Sequence, residues 1–253
     1  MPDLREGVTA FVIVKEEYDN IGLCLASLYG QVDEVLLINS YGYADDDALR
    51  GEYNRQLYYW KHVFIKAGYG FTIIDVAPGK HHVHFPLVKR YATTQWLFGL
   101  DGDEILRHST YRESIQFRMV DLVRQPYLQD KGGVGCSMYE YTDAGNKQVI
   151  LDRAYNKTRL FHQERGEFLV RLHGEFVVTS GHVVVFNKNF WIDHVRTPEE
   201  KQHDAGAYRV EIQNEYANAD SEELRQYYLD LYASQAKHYG WTEGIDVRTA
   251  SRT

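Results

Sequence analysis

The first hundred residues alternate between short apolar runs and longer segments whose apolar residues recur at helical spacing. The apolar runs cover residues 8–14 (VTAFVIV), 32–38 (VDEVLLI), 71–76 (FTIIDV) and 95–100 (QWLFGL). Runs of this length that are rich in β-branched and aromatic residues are typical of strands covered on both faces. The pattern therefore predicts four strands of a buried sheet.

Helical spacing fills the intervals between these runs. Apolar residues repeat every three or four positions from Ile21 to Leu28, and a longer stripe runs from Leu49 to Phe64. Pro86 suits the first turn of a third helix, since proline lacks the amide hydrogen that a first-turn residue does not need. Strands that alternate with helices of this length indicate βαβ units and a parallel sheet.

The middle of the chain is patterned less regularly. From Ser109 to about Gln125 the spacing of apolar residues predicts a helix, and residues 133–195 predict shorter strands separated by turns. Neither an internal repeat nor a flexible linker interrupts this stretch. We therefore expect it to belong to the same domain as the first hundred residues.

The last part of the chain is predicted to be helical. Two helical segments cover about residues 199–217 and 221–239, and Ser221 is a suitable N-cap for the second. We predict an α/β fold with a mostly parallel central sheet flanked by helices in residues 1–197. Residues 198–253 are expected to form a helical C-terminal extension packed on the same domain.

Polar loops follow three of the predicted strands. They are residues 15–17 (KEE), the loop 39–47 that begins with an asparagine, and residues 101–104 (DGDE). The carboxyl ends of parallel strands meet at one edge of the sheet, and ligands of such folds bind outside that edge. We therefore expect these three loops to converge on one ligand site.

Composition and charge narrow the classes of protein. The chain has 253 residues, of which 44% are hydrophobic and 25% charged, the proportions of a folded globular protein. This excludes a disordered or collagen-like chain. Lysine and arginine number 28 against 36 acidic residues, a formal net charge of −8, which argues against a broadly basic binder of nucleic acid or membrane surfaces.

The cysteines and the length of the apolar runs indicate in which cellular compartment the protein is expected. Cys24 and Cys136 stand in unrelated contexts, so they predict neither a zinc site nor a disulfide framework, and a reducing compartment is the simplest interpretation. The polar N-terminus shows no secretory signal, and no apolar run reaches the length of a membrane span. We therefore expect a cytoplasmic protein with no membrane span.

Asp101 and Asp103 are the strongest candidates for chemistry. They end an apolar strand, where two carboxylates so close together repel each other unless a cation lies beside them. Oxygen ligands of this kind suit Mg²⁺ or Mn²⁺, which can then bridge to substrate phosphates. The same spacing recurs at Asp45–Asp47, so the position at the strand end carries the prediction; an ordinary acidic turn is the alternative.

Six segments, taken in order, carry a family resemblance. They are TAFVIVKEE (9–17), VDEVLLINS (32–40), QWLFGLDGDEIL (95–106), NKTRLF (156–161), RLHGE (171–175) and IDHV (192–195). Their order resembles that of the family 2 glycosyltransferases with a GT-A fold, which is Rossmann-like. The resemblance covers about residues 8–215 and depends on the ordered set, since each segment alone is weak.

The resemblance implies the transfer of a sugar, with inversion, from a nucleotide-diphosphate donor to an acceptor hydroxyl. It implies that Asp101 and Asp103 hold Mn²⁺ or Mg²⁺, with His194 as a candidate third ligand or, alternatively, a packed and hydrogen-bonded histidine. The expected donor-binding residues are Lys15, Glu17, Asn39, Ser40, Lys89, Arg90, Asp101, Arg159 and Lys201. The last two are cations that could equally be solvated surface residues.

An inverting transfer also needs a general base near the acceptor hydroxyl. The family pattern is His-Glu, whereas this chain has His173-Gly174-Glu175, with the glutamate displaced by one position. The resemblance points to Glu175 as the base, with Asp193 as the alternative. The alternative for Glu175 is a purely structural role, as a strand residue that forms a salt bridge.

The sequence leaves three functions open. A carbohydrate acceptor is expected, and the same chemistry on a modified nucleic-acid base is disfavoured by the net charge of −8. A non-catalytic binding domain of GT-A shape is the third possibility. It is favoured by the displaced Glu175 and by Asn39, which stands where many members of the family have an aspartate.

Overall fold

The alternation of strands and helices continues through the first hundred residues, as expected. The protein is represented by a computed structural model that describes residues 4–14, 21–39, 47–76, 84–111, 115–116, 118–143, 149–168, 176–179, 182–196 and 198–241. The first elements are β1 (Arg5–Val14), α1 (Ile21–Leu28), β2 (Glu34–Asn39), α2 (Asp47–Lys66), β3 (Gly70–Asp75), α3 (Phe85–Tyr91) and β4 (Thr94–Asp101). The four strands predicted from the apolar runs are confirmed. Their ends lie within two residues of the predicted ones, except that β1 begins three residues earlier.

The second half of the chain is richer in strands. Its elements are β5 (Glu104–His108), β6 (Thr110–Tyr111), β7 (Ile115–Gln116), α4 (Met119–Leu122), β8 (Lys131–Asp143), β9 (Val149–His162), β10 (Gly166–Phe168), β11 (Phe176–Val178), β12 (Val183–Arg196), α5 (Pro198–Ala217) and α6 (Glu222–Tyr239). β8, β9 and β12 have 13, 14 and 14 residues, so the shorter strands expected here are wrong for these three. The two C-terminal helices agree with the prediction.

The helix predicted from Ser109 to about Gln125 is wrong. β6 and β7 pair with each other in antiparallel orientation in this region, and of its described residues only the four of α4 are α-helical. Threonine, tyrosine and isoleucine favour strands, which suits residues 110–116. Met119 and Leu122, two apolar residues of this stretch, lie in the core, and the backbone amide of Met119 donates to the Gln31 side chain at 3.2 Å.

The central sheet joins a parallel half to a half with antiparallel pairs. Among the described residues, eight strands form one sheet in the order β3-β2-β1-β4-β9-β8-β12-β5. β3, β2, β1 and β4 pair in parallel, whereas β9 pairs antiparallel to β4 and β5 pairs antiparallel to β12. Helices flank the parallel strands, and the predicted α/β fold with a central sheet is confirmed.

The register brings the carboxyl ends of the parallel strands together. Val14 of β1 pairs with Asn39 of β2, and Asn39 pairs in turn with Asp75 of β3. On the other side of β1, Ile13 pairs with Asp101 of β4. The ends of these four strands therefore form one edge, which we call the carboxyl edge. Asn39 and Asp101, the first residues of two of the polar loops, both lie at this edge.

Both faces of the parallel strands are covered. Alternate residues of β1 point to opposite sides, so that Val12 belongs to a core cluster with residues of α1 and α2, while Phe11 belongs to a second cluster with Val88 of α3. Gly99 of β4 makes room for the Phe11 ring, because a Cβ atom there would lie 2.6 Å from Phe11 Cζ. The interior of this half of the sheet is thus fully packed, which leaves its carboxyl edge for ligands.

The chain divides into two compact units. The first comprises Met1–Tyr141 and Val149–Val195, and the second comprises Thr142–Gln148 and Arg196–Thr253. In the second unit α5 and α6 pack against each other, and the Tyr228 hydroxyl donates to Glu215 at 3.1 Å. The predicted boundary at residue 197 and the packing of the extension on the first domain stay predictions.

The ends of α6 follow from local sequence. The Ser221 hydroxyl accepts a hydrogen bond from the Leu224 backbone amide, as an N-cap residue does. Gly240, with φ 70°, ends the helix in the left-handed conformation that glycine adopts without strain. Across the described part of the chain, no helix combines the length and the apolar character needed to cross a lipid bilayer.

Candidate active site

The acidic turn after β4 lies at the carboxyl edge. Asp101 is the last residue of β4, and the next backbone amide, that of Gly102, donates to the Ile13 carbonyl of β1 at 3.2 Å. The side chains of Asp101 and Asp103 are 34% and 19% exposed. Both carboxylates are thus accessible to solvent, although they follow a buried strand.

Glu104, the first residue of β5, holds this turn from inside the protein. Its Oε2 atom accepts a hydrogen bond from the Asp101 backbone amide at 2.9 Å, and its Oε1 atom accepts one from the Arg159 guanidinium of β9. Glu104 is 1% exposed and Arg159 8%. Arg159 Nη2 also lies 3.9 Å from Asp101 Oδ2, so the guanidinium contacts a buried and an accessible carboxylate.

Burial and charge act in opposite directions on this pair. Burial raises the pKa of Glu104, and the neighbouring Arg159 opposes that shift. For Arg159, burial alone would lower the pKa, but the carboxylates of Glu104 and Asp101 outweigh it, so the pKa of the guanidinium is raised. Arg159 therefore supplies a permanent positive charge beside Asp101.

His194 reaches the same turn from β12. Residue 194 pairs with Glu104 in the antiparallel β12–β5 ladder, and its Nε2 atom lies 2.5 Å from Asp103 Oδ2. His194 is 3% exposed. Of the residues expected at a metal, His194 is thus brought into contact with Asp103, and Arg159 lies beside Asp101.

Asp193, the alternative base, points away from this group. Successive side chains of a strand alternate between faces, so Asp193 lies on the opposite face of β12 from His194. Its Oδ2 atom accepts a hydrogen bond from Arg107 Nε of β5 at 2.9 Å. Tyr141 lies nearby, and burial raises its pKa with a further contribution from Asp193.

Asn39 is placed at the carboxyl edge, where it holds a neighbouring carboxylate. The hydroxyl of Tyr53, a buried residue of α2, donates to Asn39 Oδ1 at 3.0 Å. The amide nitrogen Nδ2 of Asn39 in turn donates to Asp75 Oδ1 at 2.6 Å. The Asp75 carboxylate at the end of β3 is exposed, so it extends the polar edge by one strand.

Lys89 and Arg90 are not brought to the carboxyl edge. They belong to the last turn of α3, after which Thr93 accepts a hydrogen bond from the Arg5 amide at the start of β1. At 3.3 Å per residue, the length of β4 separates Thr94, the first residue of the strand that follows this helix, from Asp101 by about 23 Å. Lys89 Nζ donates to the Gly166 carbonyl at 2.9 Å, and burial lowers its pKa against the opposing effect of Glu167. The Arg90 guanidinium lies over the ring of the adjacent tyrosine, 5.5 Å from its centre.

The other expected residues lie outside the described part of the chain or in the second unit. Lys15, Glu17, Ser40 and Glu175 are outside the described residues. Lys201 belongs to α5, and its side chain is likewise not described. Their roles stay predictions.

The donor set at the turn fits a divalent cation that is shared with a substrate. Within the described residues, no group of three or more histidine, cysteine, aspartate or glutamate side chains is arranged to hold a metal ion. Mg²⁺ and Mn²⁺ sites commonly take one or two carboxylates from the protein, and water and substrate phosphates complete them. The accessible carboxylates of Asp101 and Asp103 meet that requirement, whereas the role of His194 as a third ligand stays a prediction.

Two residues of this edge, Glu104 and Asp75, are absent from the candidates drawn from the sequence. Glu104 directly follows Asp103, and a glutamate inside an apolar strand (EILRH) was the available signal. Asp75 ends β3 just as Asn39 ends β2 and Asp101 ends β4. The rule that selects polar residues at the carboxyl ends of parallel strands would therefore have included it.

Comparison with known proteins gives structural similarities only. No protein-family model matches the chain, and no curated protein matches it in sequence. A crystal structure of S. aureus TarS 1-349 is similar with a TM-score of 0.38 and 11% identity, over 95% of this chain and 74% of that chain. A crystal structure of S. aureus TarS has a TM-score of 0.41 and 11% identity, over 95% of this chain and 46% of that chain.

A third crystal structure, of S. aureus TarS 1-349 in complex with UDP, is similar with a TM-score of 0.40 and 11% identity, over 93% of this chain and 72% of that chain. This chain thus spans just under half of the longer TarS chain and about three quarters of the shorter one. At this identity the likeness concerns the course of the backbone and not individual residues.

Proposed function

We propose that the protein is a metal-dependent, inverting glycosyltransferase of GT-A fold that moves a sugar from a nucleotide-diphosphate donor to an acceptor hydroxyl of a carbohydrate. The observation that carries the proposal is the group at the carboxyl edge: two accessible carboxylates, Asp101 and Asp103, beside the buried cation of Arg159. The sequence segments that resemble family 2 glycosyltransferases support the same activity.

The charges at this edge suit a diphosphate. Asp101 and Asp103 would hold Mn²⁺ or Mg²⁺ at the accessible side of the turn. When bound, the divalent cation would neutralise the charge that develops on the nucleotide diphosphate as it leaves. Arg159 adds a fixed positive charge 3.9 Å from Asp101, and because it is held by the buried Glu104 it does not have to be reoriented when the donor arrives.

The acceptor hydroxyl must lose a proton, and Glu175 is the proposed base. Asp193 is supported less well, because its carboxylate is bound to Arg107 and lies on the opposite face of β12 from His194. A cytoplasmic location belongs to the same proposal, and it is supported by Cys24 and Cys136, which are both buried free thiols.

The decisive experiment measures binding of a panel of nucleotide sugars by thermal shift, with and without Mn²⁺. A donor at 100 times its Kd stabilises the folded protein by about 2.7 kcal/mol. We expect one nucleotide class to bind only with Mn²⁺, and Asp101→Asn and Asp103→Asn to lose that binding while they keep the fold. Asp220→Asn, an exposed aspartate of the second unit, removes the same charge and serves as the control.

The outcomes separate the three functions. If the two variants bind every nucleotide sugar as the wild type does, the proposed function is wrong. Mn²⁺-dependent binding without any transfer or donor hydrolysis would identify a binding domain. Transfer to a modified nucleic-acid base, with affinity for the acceptor that falls steeply with salt, would replace the carbohydrate acceptor.

A further inference from the structure

The side of α2 that faces away from the core carries large apolar side chains. Tyr53, Leu57 and Phe64 are buried and define the inward side of the helix. With about 3.6 residues per turn, the opposite side, which we call the outward face of α2, is formed by exposed residues. They are Arg55, Tyr58, Tyr59, His62, Ile65 and Lys66. Of these, Tyr58, Tyr59 and Ile65 are 60%, 62% and 52% exposed, so the helix offers apolar surface to a partner.

The same helix is locally basic in an acidic protein. After Glu52 it contains Arg55, Lys61 and Lys66 and no acidic residue. Glu52 forms an ion pair with Arg55, and three cations against one carboxylate leave residues 52–66 with a net charge of +2. The whole chain has a net charge of −8. The outward face of α2 therefore attracts an anionic surface that the protein as a whole repels.

The apolar surface continues onto the neighbouring helix. Gly22 of α1 lies close to α2, because a Cβ atom there would lie 2.8 Å from Gln56 Oε1 and 3.7 Å from Trp60 Nε1. The next residue, Leu23, is 55% exposed. Two adjacent helices thus contribute exposed apolar side chains next to a group of positive charges.

An anionic lipid bilayer matches this combination of side chains. Tyrosine is enriched at the boundary between lipid headgroups and hydrocarbon, because its ring is apolar and its hydroxyl stays hydrated. Lysine is attracted by the negative potential of anionic headgroups, and aliphatic side chains add apolar area that inserts. Protein–protein interfaces, in contrast, are depleted in lysine. The composition of the outward face therefore favours a lipid surface over a protein partner.

We infer that the outward face of α2 docks the protein on the surface of an anionic lipid bilayer. Tyr58, Tyr59 and Ile65 enter the headgroup region, while Lys61 and Lys66 contact the headgroup phosphates. The inference does not depend on the proposed function, because this face holds none of the residues proposed to bind the donor, the metal or the acceptor.

The test is co-sedimentation of the chain with vesicles of phosphatidylcholine alone, or of phosphatidylcholine and phosphatidylglycerol in equal amounts. We expect binding to the vesicles with phosphatidylglycerol, and we expect salt to weaken it. Lys66→Gln should weaken this binding about 5-fold, which corresponds to about 1 kcal/mol for one basic residue near an anionic membrane. Tyr58→Ser combined with Tyr59→Ser should weaken it at high as well as at low salt, because the inserted apolar area is lost.

The matched control is Lys188→Gln, which removes the same charge from an exposed position of β12 and should bind vesicles as the wild type does. No binding to phosphatidylglycerol vesicles would overturn the inference. Equal losses in Lys66→Gln and Lys188→Gln would also overturn it, since they would reflect the overall charge.

A second copy of the chain is the other occupant that the experiment can identify. Self-association without lipid, abolished by Tyr58→Ser combined with Tyr59→Ser, would assign the face to a dimer and overturn the inference. All these variants should bind nucleotide sugars as the wild type does. Failure of the lipid interaction therefore leaves the proposed function standing, and failure of donor binding leaves the lipid interaction standing.

Discussion

Glu104 and Arg159, 55 positions apart in the sequence, form a buried ion pair that ties the acidic turn to the C-terminal part of β9. The same carboxylate accepts the backbone amide of Asp101, so the pair fixes both the backbone and the electrostatic surroundings of the turn. Burial disfavours the negative charge of Glu104, whereas the positive charge of Arg159 is permanent. The pair therefore provides the first test of how the turn is held.

Arg159→Met should strongly destabilise the protein, by about 3–5 kcal/mol, because it leaves the Glu104 carboxylate buried without a partner. Adding Glu104→Gln to this variant should recover most of the loss, since the amide oxygen of glutamine still accepts from the Asp101 backbone. The measurement is the urea unfolding midpoint of the wild type, both single variants and the double variant. A double variant as unstable as Arg159→Met alone would show that the ion pair is not the source of the loss.

His194→Ala should weaken the binding of Mn²⁺ by about 10–100-fold, because the imidazole holds the carboxylate of Asp103 even if it does not itself bind the ion. Binding is measured by titrating the electron paramagnetic resonance signal of free Mn²⁺ in the presence of the bound nucleotide. His62→Ala, an exposed histidine of α2, is the matched control. Equal Mn²⁺ affinity in both variants would leave His194 with a packing role alone.

The protein should lose stability as the pH falls from about 6.5 to about 4, partly through His162. Burial, with Arg165 and His182 adding to it, lowers the pKa of His162 to about 4, below its ordinary value of 6.5. Its ring packs edge-on against Trp96, and its Nδ1 atom accepts from the Glu164 amide at 3.4 Å, which requires that nitrogen to be unprotonated. The unfolded chain therefore binds the proton more tightly than the folded one.

Across that pH interval the effect of His162 amounts to about 3 kcal/mol, at about 1.4 kcal/mol for each unit of pKa difference. We expect His162→Gln to flatten the pH dependence of the urea midpoint between pH 7 and pH 4. An identical slope in wild type and His162→Gln would place the acid sensitivity in other groups.

Ser221→Ala should destabilise α6 by about 1 kcal/mol, because the Leu224 backbone amide loses the hydroxyl that caps it. Hydrogen exchange of the α6 amides measures the effect within the second unit. Ser234→Ala lies in the same helix on an exposed position and removes the same hydroxyl without removing a cap, so its exchange should be unchanged or slower. Faster exchange of similar size in both variants would contradict a capping role.

The parallel half of the fold was predictable because its signals are local. Apolar runs of strand length and the stripe that contains Tyr53, Leu57 and Phe64 need no knowledge of distant residues, and all three side chains are buried in the structure. The segment after Ser109 failed for the opposite reason. Its backbone amides at Met119 and Val120 donate to Gln31, and neither these hydrogen bonds nor the pairing of β6 with β7 is visible in a helical repeat.

The candidate site, like the fold, was predictable only where its signals are local. Asp101 and Asp103 follow from a strand end, and His194 contacts Asp103. The cation that these residues are expected to share stays a prediction. The burial of Glu104 was not predictable, because it depends on Arg159 from a strand that enters the sheet later in the chain. The resemblance implies that Lys89 binds the donor, yet the helix that carries it ends at the opposite edge of the sheet.

The pairing of His194 with Glu104 has a consequence for the order in which the protein matures. The turn that bears Asp101 and Asp103 is made early in synthesis, whereas the strand that supplies His194 is completed about ninety residues later. A nascent chain released before β12 therefore carries the acidic turn without the imidazole that holds it. Under the proposed function, tight Mn²⁺ binding should therefore be acquired only when β12 has paired in the sheet.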